Sequence, residues 1–302
     1  MAHVNLQQSS PLFRLPQELR DEIYTYLFLS TTIEYGAAFP PANSKTHKRK
    51  GSNSLEITRT CHRAKRDVGD TWLRLVFFIF RSPKAMLDVL AMLPVETRSK
   101  VGRVCVSDLP LRLGRKDGGG ITPYSLHQVL KLLPGLRLDY FVVSPGDDSM
   151  GDLSHMEDLL KHSNGWKELH HIFKLPETDE LLCSSKQSLL AKWNTVLENR
   201  DGAGSQPLVT IDPPAGHNGK ESSKYWVVVA KRGVGVDYEE KVASPWIKGD
   251  IRQQKSNAVL DVRLRNRKYK WKELRELYVS SPDGDIECVY EYFSWNQNYG
   301  GD

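Results

Sequence analysis

The stretch Ser82-Pro-Lys-Ala-Met-Leu-Asp-Val-Leu-Ala-Met-Leu-Pro94, followed by Lys100-Val-Gly-Arg-Val-Cys-Val-Ser-Asp-Leu109, decides the fold of this 302-residue chain. The first segment predicts a helix, and the second predicts a short apolar strand. A helix that leads within a few residues into an apolar strand is typical of α/β proteins. The neighbouring sequence repeats this arrangement.

The repeat continues toward the C-terminus. Segment 122–136, TPYSLHQVLKLLPGL, predicts a helix, and 137–144, RLDYFVVS, predicts a strand. Segment 154–166, SHMEDLLKHSNGW, again predicts a helix, with a strand at 167–175, KELHHIFKL. Such units, about 30 residues long, indicate stacked modules whose strands lie side by side and parallel. The predicted class is therefore α/β (or α+β), as a short, leucine-rich-repeat-like solenoid or an open sheet.

Beyond the repeats, segment 185–200 predicts a further helix, closed by the glycine-containing segment 201–205. Strands are predicted at 207–211, PLVTI, and at 224–233, KYWVVVAKRG. From about residue 250 the sequence is basic and less regular. It alternates like a half-exposed strand at 258–269 before a short helix.

The N-terminal part of the chain differs from the repeats. Segment 57–73 predicts a helix that leads into a buried strand within LRLVFFIF, residues 73–80. Its apolar face consists of Ile57, Cys61, Ala64, Val68 and Trp72. Between 30 and 54 the apolar rhythm lapses, and the basic segment 43–53 predicts an exposed loop. We therefore predict one unit over 1–82 and a second, repeat-like unit over 83–302.

The chain begins with a strong helix signal, Ser10-Pro-Leu-Phe-Arg-Leu-Pro-Gln-Glu-Leu-Arg-Asp-Glu-Ile-Tyr-Thr-Tyr-Leu-Phe28. Pro16 suits a first helical turn, where its missing N–H is not needed. The apolar residues fall on one face of the predicted helix: Leu15, Leu19, Ile23, Tyr26 and Leu27. The charged residues lie largely on the other side, so the segment is amphipathic.

The spacing of Leu15-Pro-Gln-Glu-Leu19 with Ile23 and Leu27 resembles the first helix of an F-box, L-P-x-E-[LI]-x-x-x-I-x-x-x-L. Together with TRTCHRAKRDVGDTW at 58–72 and LVFFIF at 75–80, the stretch is similar to the N-terminal module of fungal F-box-like domain-containing proteins, a group of uncharacterised function. The resemblance covers about the first 80 residues specifically and the next 130 only loosely.

The resemblance implies a function as a non-enzymatic adaptor, the substrate-recognition subunit of an SCF-type (cullin-RING) ubiquitin ligase. The F-box helices of such a protein dock on a Skp-type adaptor, and the following domain holds a target protein. The adaptor-facing residues implied here are Leu15, Pro16, Leu19, Ile23 and Leu27. Apolar anchors of this kind contribute about 1.5 to 3 kcal/mol each when fully buried. Two alternatives stay open: the same face packs on the chain's own core, or the module is a structural cap of a scaffold.

A different class of function is indicated by segment 263–275, where basic residues alternate with aromatic ones. Such a pattern can combine phosphate contacts with base stacking. The candidate nucleic-acid-binding residues are Arg263, Arg265, Arg267, Lys268, Lys270 and Trp271. The alternative is a solvated strand and helix whose aromatic side chains anchor it to the core.

Composition and charge restrict the cellular compartment and the classes of partner that we expect. The four cysteines are far apart and form no C-x-x-C pair, which favours reduced thiols and a location in the cytoplasm, the nucleus or both. The start of the sequence lacks a signal-peptide pattern, and its longest apolar run is too short to span a bilayer. The formal charge of +5 permits nucleic acid as a partner without requiring it. The basic run 45–50 predicts a solvated loop or a nuclear-import signal.

Motifs of known enzyme classes are missing from the sequence. It contains no G-x-S-x-G elbow, no phosphate-binding P-loop and no H-E-x-x-H motif. Cys61-His62 and His170-His171 are adjacent pairs, and neighbouring residues of a helix or strand point to different sides. We therefore predict no enzyme activity, no cofactor and no metal site.

Overall fold

The strands predicted from the helix–strand repeat pair with one another in a single open sheet. A computed structural model of the chain describes residues 10–36, 55, 57, 62–107, 111–114, 121–145, 153–174, 180–202, 204–212 and 225–241. The helices are α1 (Pro11–Arg14), α2 (Gln17–Leu29), α3 (His62–Val68), α4 (Trp72–Leu75), α5 (Pro83–Leu90), α6 (Val95–Arg98), α7 (Leu126–Leu130), α8 (Ser154–His162) and α9 (Glu180–Asp201). The strands are β1 (Thr32–Tyr35), β2 (Phe77–Phe80), β3 (Arg103–Ser107), β4 (Leu111–Gly114), β5 (Ile121–Tyr124), β6 (Leu138–Ser144), β7 (Trp166–Lys174), β8 (Leu208–Asp212) and β9 (Tyr225–Lys231).

The main sheet has seven strands in the order β1-β2-β3-β6-β7-β9-β8. The first five are parallel, β9 is antiparallel to β7, and β8 is antiparallel to β9. A separate antiparallel hairpin, β4–β5, is inserted between β3 and β6. The prediction of an α/β protein with an open sheet of neighbouring parallel strands is therefore confirmed. Strands from both sides of the unit boundary predicted at residue 82 belong to this one sheet, since β2 pairs with β3.

Alternate residues of the strands supply two different apolar clusters, because successive side chains of a strand point to opposite faces. In β2, Phe78 and Phe80 belong to the larger cluster, which also takes up the buried apolar side chains of the helices. Within the described part of the chain, the second cluster contains strand residues and no helix residues. Its members are Phe77, Ile79, Cys105, Val142, Ile172, Val227 and Val229. The described helices thus pack on one face of the sheet.

The N-terminal helix signal covers two helices rather than one. α1 ends at Arg14 and α2 begins at Gln17, with Leu15 in an extended conformation (φ −70°, ψ 148°). The ring of Pro16 disfavours a helical conformation for the preceding residue, which explains the break. The helix predicted over 57–73 is divided in the same way at Gly69, whose φ of +52° ends α3.

Most of the predicted elements are confirmed, and the omissions are short. β1, α6 and the hairpin strands have four residues each and carry too little periodic signal to be detected. The start of the helix predicted over 122–136 lies in β5, and the helix itself begins at Leu126. The basic loop at 43–53 and the elements predicted over 258–279 lie outside the described residues.

A buried arginine joins three of the helices. Arg98, at the end of α6, donates hydrogen bonds to the carbonyl oxygens of Leu90 (2.9 Å), Leu93 (3.0 Å) and Pro134 (2.8 Å). These carbonyls belong to the end of α5 and to the chain that follows α5 and α7. Burial lowers the pKa of Arg98, but the hydrogen bonds satisfy its guanidinium.

Candidate functional site

The most exposed apolar side chains of α2 form one row. Leu19 is 46% exposed, Ile23 42% and Tyr26 68%. Their spacing of four and then three residues places them above one another on the same side of a helix. We call these three residues the α2 stripe. Soluble proteins commonly expose single apolar residues, whereas a contiguous row usually marks an interaction surface.

The five residues predicted to face an adaptor lie on or beside this row. Pro16, Leu19 and Ile23 are exposed, and Leu15 and Leu27 are half-buried. The structure therefore brings them together on the accessible side of α2. Tyr26 belongs to the apolar face predicted from the sequence and is the most exposed member of the stripe, although the F-box pattern does not include it.

The side of α2 that faces the core carries a different set of residues. Arg20, Tyr24 and Phe28 are buried, at intervals of four residues. Tyr24 and Phe28 join the larger apolar cluster. α2 packs there against α3 and α4, so the predicted apolar face is not the one that the described core takes up.

Arg20 has an unusual position for a charged residue. Its Nε lies 3.1 Å from Oδ2 of Asp67 in α3, and its Nη1 donates to the carbonyl oxygen of Leu15 at 2.7 Å. Its Nη2 also donates to the side chain of Gln17. A second link between the same regions is the Arg63 guanidinium, 5.0 Å from the ring centre of Phe13. The start of α2 is therefore tied to both α1 and α3.

A second candidate site is a group of four polar side chains on the sheet, which we call the polar cluster. Tyr140 of β6, Glu168 and His170 of β7, and Lys231 of β9 share one face, because Glu168 is the register partner of both Tyr140 and Lys231. His170 Nε2 lies 2.7 Å from Glu168 Oε1, and His170 Nδ1 lies 3.3 Å from the Tyr140 hydroxyl. Lys231 Nζ lies 3.4 Å from the same Glu168 oxygen.

Burial and hydrogen bonding set the charge of this polar cluster. Burial lowers the pKa of His170, although the hydrogen bond and charge of Glu168 act in the opposite direction. Burial would raise the pKa of Glu168, but the hydrogen bonds and charges of His170 and Lys231 outweigh it and hold the pKa below its usual value. At neutral pH the imidazole is then neutral and the carboxylate ionised. Nε2–H donates to Glu168, and Nδ1 accepts from Tyr140.

The polar cluster links a hydroxyl, an imidazole and a carboxylate in series. Such a series can pass a proton, and a satisfied polar network also fixes the strands that carry it. The spacing of Glu168 and His170, two residues apart in the predicted strand, is the signal in the sequence from which their shared face could have been predicted. The contribution of β6 and β9 depends on the sheet register, which a single sequence does not provide.

The remaining candidates are placed as follows. His171 points to the opposite side of β7 from His170, with its ring centre 6.2 Å from that of Phe173. The described residues contain no group of three or more His, Cys, Asp or Glu side chains arranged to hold a metal ion. The candidate nucleic-acid-binding residues of segment 263–275 lie outside the described residues. Within the described ranges, no helix is both long and apolar enough to cross a membrane.

Comparison with known proteins adds no relative. No protein-family model matches the sequence, no curated protein matches it, and no solved structure matches it.

Proposed function

We propose that this chain is a non-enzymatic interaction adaptor and the substrate-recognition subunit of an SCF-type ubiquitin ligase. In this proposal α2 docks on a Skp-type adaptor through the α2 stripe and the adjoining Leu15 and Pro16. The α1–α2–α3 region acts as an F-box-like module, and the α/β sheet, whose first strand β1 lies between α2 and α3, acts as the repeat-like domain that holds a target protein.

The observation that carries the proposal is the exposure of the α2 stripe. α2 already buries Tyr24 and Phe28 in the chain's own core. Its second apolar row, which includes Leu19 and Ile23, is not taken up by that core and stays accessible. Exposed apolar anchors at helical spacing are what a helix-in-groove contact requires. The resemblance of the same residues to the F-box pattern supports a Skp-type groove as the partner.

The expected strength of the contact follows from the area that remains to be buried. The stripe residues are about half exposed, so complete burial of each contributes roughly 1 kcal/mol. Replacing an anchor by aspartate removes this contribution and places a charge in an apolar groove. The combined Leu19→Asp and Ile23→Asp variant should therefore weaken adaptor binding by about a hundredfold or more.

The measurement is binding of the purified full chain to a purified Skp-type adaptor by titration calorimetry. Leu208→Asp is the matched control, since Leu208 is 53% exposed and lies in β8, at the sheet edge opposite to β1. It should bind as the unaltered chain does. Circular dichroism shows whether each variant is folded.

Two results count against the proposal. If the folded, unaltered chain does not bind the adaptor, the ubiquitin-ligase function is lost, and a scaffold with a structural N-terminal module is the better description. If the double aspartate variant binds normally, α2 is not the docking surface.

A further inference from the structure

We infer that Arg20 is the positioning residue of the docking surface: it sets where α2 begins and how α2 is rotated, and so directs the α2 stripe outward. This inference rests on the proposed function for its binding consequence. Arg20 itself lies on the core side of the helix and is only 6% exposed, so it does not contact a partner.

The start of α2 depends on Arg20 because the helix has no side-chain N-cap. The N-cap residue is Pro16, which makes no capping hydrogen bond with its side chain. Helix starts are usually fixed by Ser, Thr, Asp or Asn at this position. The Arg20 guanidinium is a donor and does not replace such an acceptor, but it holds the helix start by donating to the Leu15 carbonyl at 2.7 Å and to the Gln17 side chain. Leu15 and Pro16, two of the adaptor-facing residues, are thereby held in place.

The rotation of α2 depends on the third acceptor. Asp67 Oδ2 lies 3.1 Å from Arg20 Nε, and both side chains are largely buried. Asp67 belongs to α3, so this ion pair fixes one side of α2 against a neighbouring helix. Because Leu19 precedes Arg20 directly, its direction is determined once that of Arg20 is set. A buried pair of this kind is poor at adding stability but well suited to specifying one arrangement.

A comparison of two buried arginines tests the inference. Arg98 is also 6% exposed and also donates to backbone carbonyls, but it lies in α6, away from α2. Both Arg20→Met and Arg98→Met should lower the thermal stability of the full chain. Only Arg20→Met should weaken binding to the Skp-type adaptor, by about tenfold, at a temperature where both variants are folded. Arg20→Lys keeps the charge beside Asp67 but cannot reach three acceptors. Its affinity for the adaptor should therefore lie between those of Arg20→Met and Arg98→Met.

Amide hydrogen exchange provides a measurement that needs no partner. Exchange in residues 17–28 should be faster in Arg20→Met than in Arg98→Met, since only the former loosens α2. Equal exchange of α2 in the two variants would overturn the inference, as would equal loss of adaptor binding. If the unaltered chain does not bind the adaptor, the proposed function fails, and the exchange comparison still decides the role of Arg20.

Discussion

Asp201 is the most deeply buried acid of the described ion pairs, and it serves two arginines. Its carboxylate oxygens lie 2.6 Å from Nε and Nη2 of Arg232, and 3.2 Å from Nε of Arg200. Both guanidinium groups also stack on the ring of Trp166, at 5.1 and 5.5 Å from its centre. Burial, followed by the charge of Arg232, lowers the pKa of Arg200 to about 10. This group of residues joins the end of α9 to β7 and β9.

Removal of Asp201 should therefore be costly. Asp201→Ala leaves two buried cations without their carboxylate, and we expect the free energy of unfolding to fall by about 3 to 5 kcal/mol. Urea denaturation measures the change. The control is Asp88→Ala, which removes the exposed i,i+4 pair with Lys84 and should change stability by about 0.5 kcal/mol or less. A loss for Asp201→Ala no larger than for the control would contradict this account.

The lowered pKa of His170 predicts how the free energy of unfolding depends on pH. Because burial lowers its pKa in the folded chain, the unfolded chain takes up a proton first as the pH falls below about 6.5. The free energy of unfolding should then decrease from about pH 6.5 down to the folded pKa. Glu168, whose pKa is lowered, contributes stability that is lost only below its usual value of 4.5. As the pH is lowered, the His170 effect therefore begins at a higher pH than the Glu168 effect.

The variant His170→Gln isolates the histidine contribution. Its free energy of unfolding should fall less steeply than that of the unaltered chain as the pH is lowered from 6.5 to 5, as measured by urea denaturation at each pH. His127, whose pKa is also lowered chiefly by burial, remains in both proteins and accounts for part of the remaining slope. An unchanged slope in His170→Gln would show that His170 is not a source of the pH dependence.

At the scale of elements, three of the described helices end beside a glycine or a proline: α1 before Pro16, α3 at Gly69 and α9 at Gly202. α9 ends before Gly202, which has a φ of +98° and donates from its N–H to the carbonyl oxygen of Glu198 at 2.9 Å. This is the αL form of helix termination, which needs a left-handed residue. It also places Asp201 at the helix end, where it meets Arg232.

Gly202→Ala should lower the free energy of unfolding by about 1 kcal/mol, because alanine is strained in the left-handed region. An added Cβ would meet nothing within 4 Å, so steric contact with neighbours does not contribute. Asn tolerates the left-handed conformation better, and Gly202→Asn is the matched control with a smaller expected loss. Equal losses in thermal or urea unfolding would mean that backbone strain is not the cause.

The sequence predicted elements well where they were long and periodic. The sequence predicted the helix α5 and the apolar strands β2, β3 and β6, and the structure contains all four. The four-residue strand β1 escaped because its half-buried residues show no apolar alternation. The break at Gly69 was missed because apolar periodicity continues across it. The helix start at Pro16 was predicted, but the four-residue helix α1 before it was not recognised as a separate element.

The same reasoning explains the partial prediction of the candidate site. The apolar row of α2 is visible in the sequence, but which side of the helix faces the core is not. A pattern of apolar residues cannot show that Arg20 is buried, since its burial depends on Asp67, 47 residues away. The polar cluster can also be predicted only in part. Glu168 and His170 are two residues apart on one strand, whereas Tyr140 and Lys231 come close to them only through the pairing of strands in the sheet.

At the scale of the whole molecule, the described fold is an open sheet with its helices on one face and a sheet edge at each end. β1 forms one edge, close in sequence to α2, and β8 forms the other. The docking surface proposed for α2 and the face that carries the polar cluster are thus parts of one continuous sheet structure. An adaptor on α2 and a target elsewhere on the sheet would be held by the same scaffold.

The strand order also determines how the chain can be assembled during synthesis. The five parallel strands lie side by side in the order in which they are synthesised: β1, β2, β3, β6 and β7. Each strand after β1 can therefore pair with a neighbour that has already been synthesised. Synthesis at roughly 5 to 20 residues per second leaves ample time for each addition. β8 is the exception, because its partner β9 follows it in the chain. The antiparallel end of the sheet is therefore the last part to close.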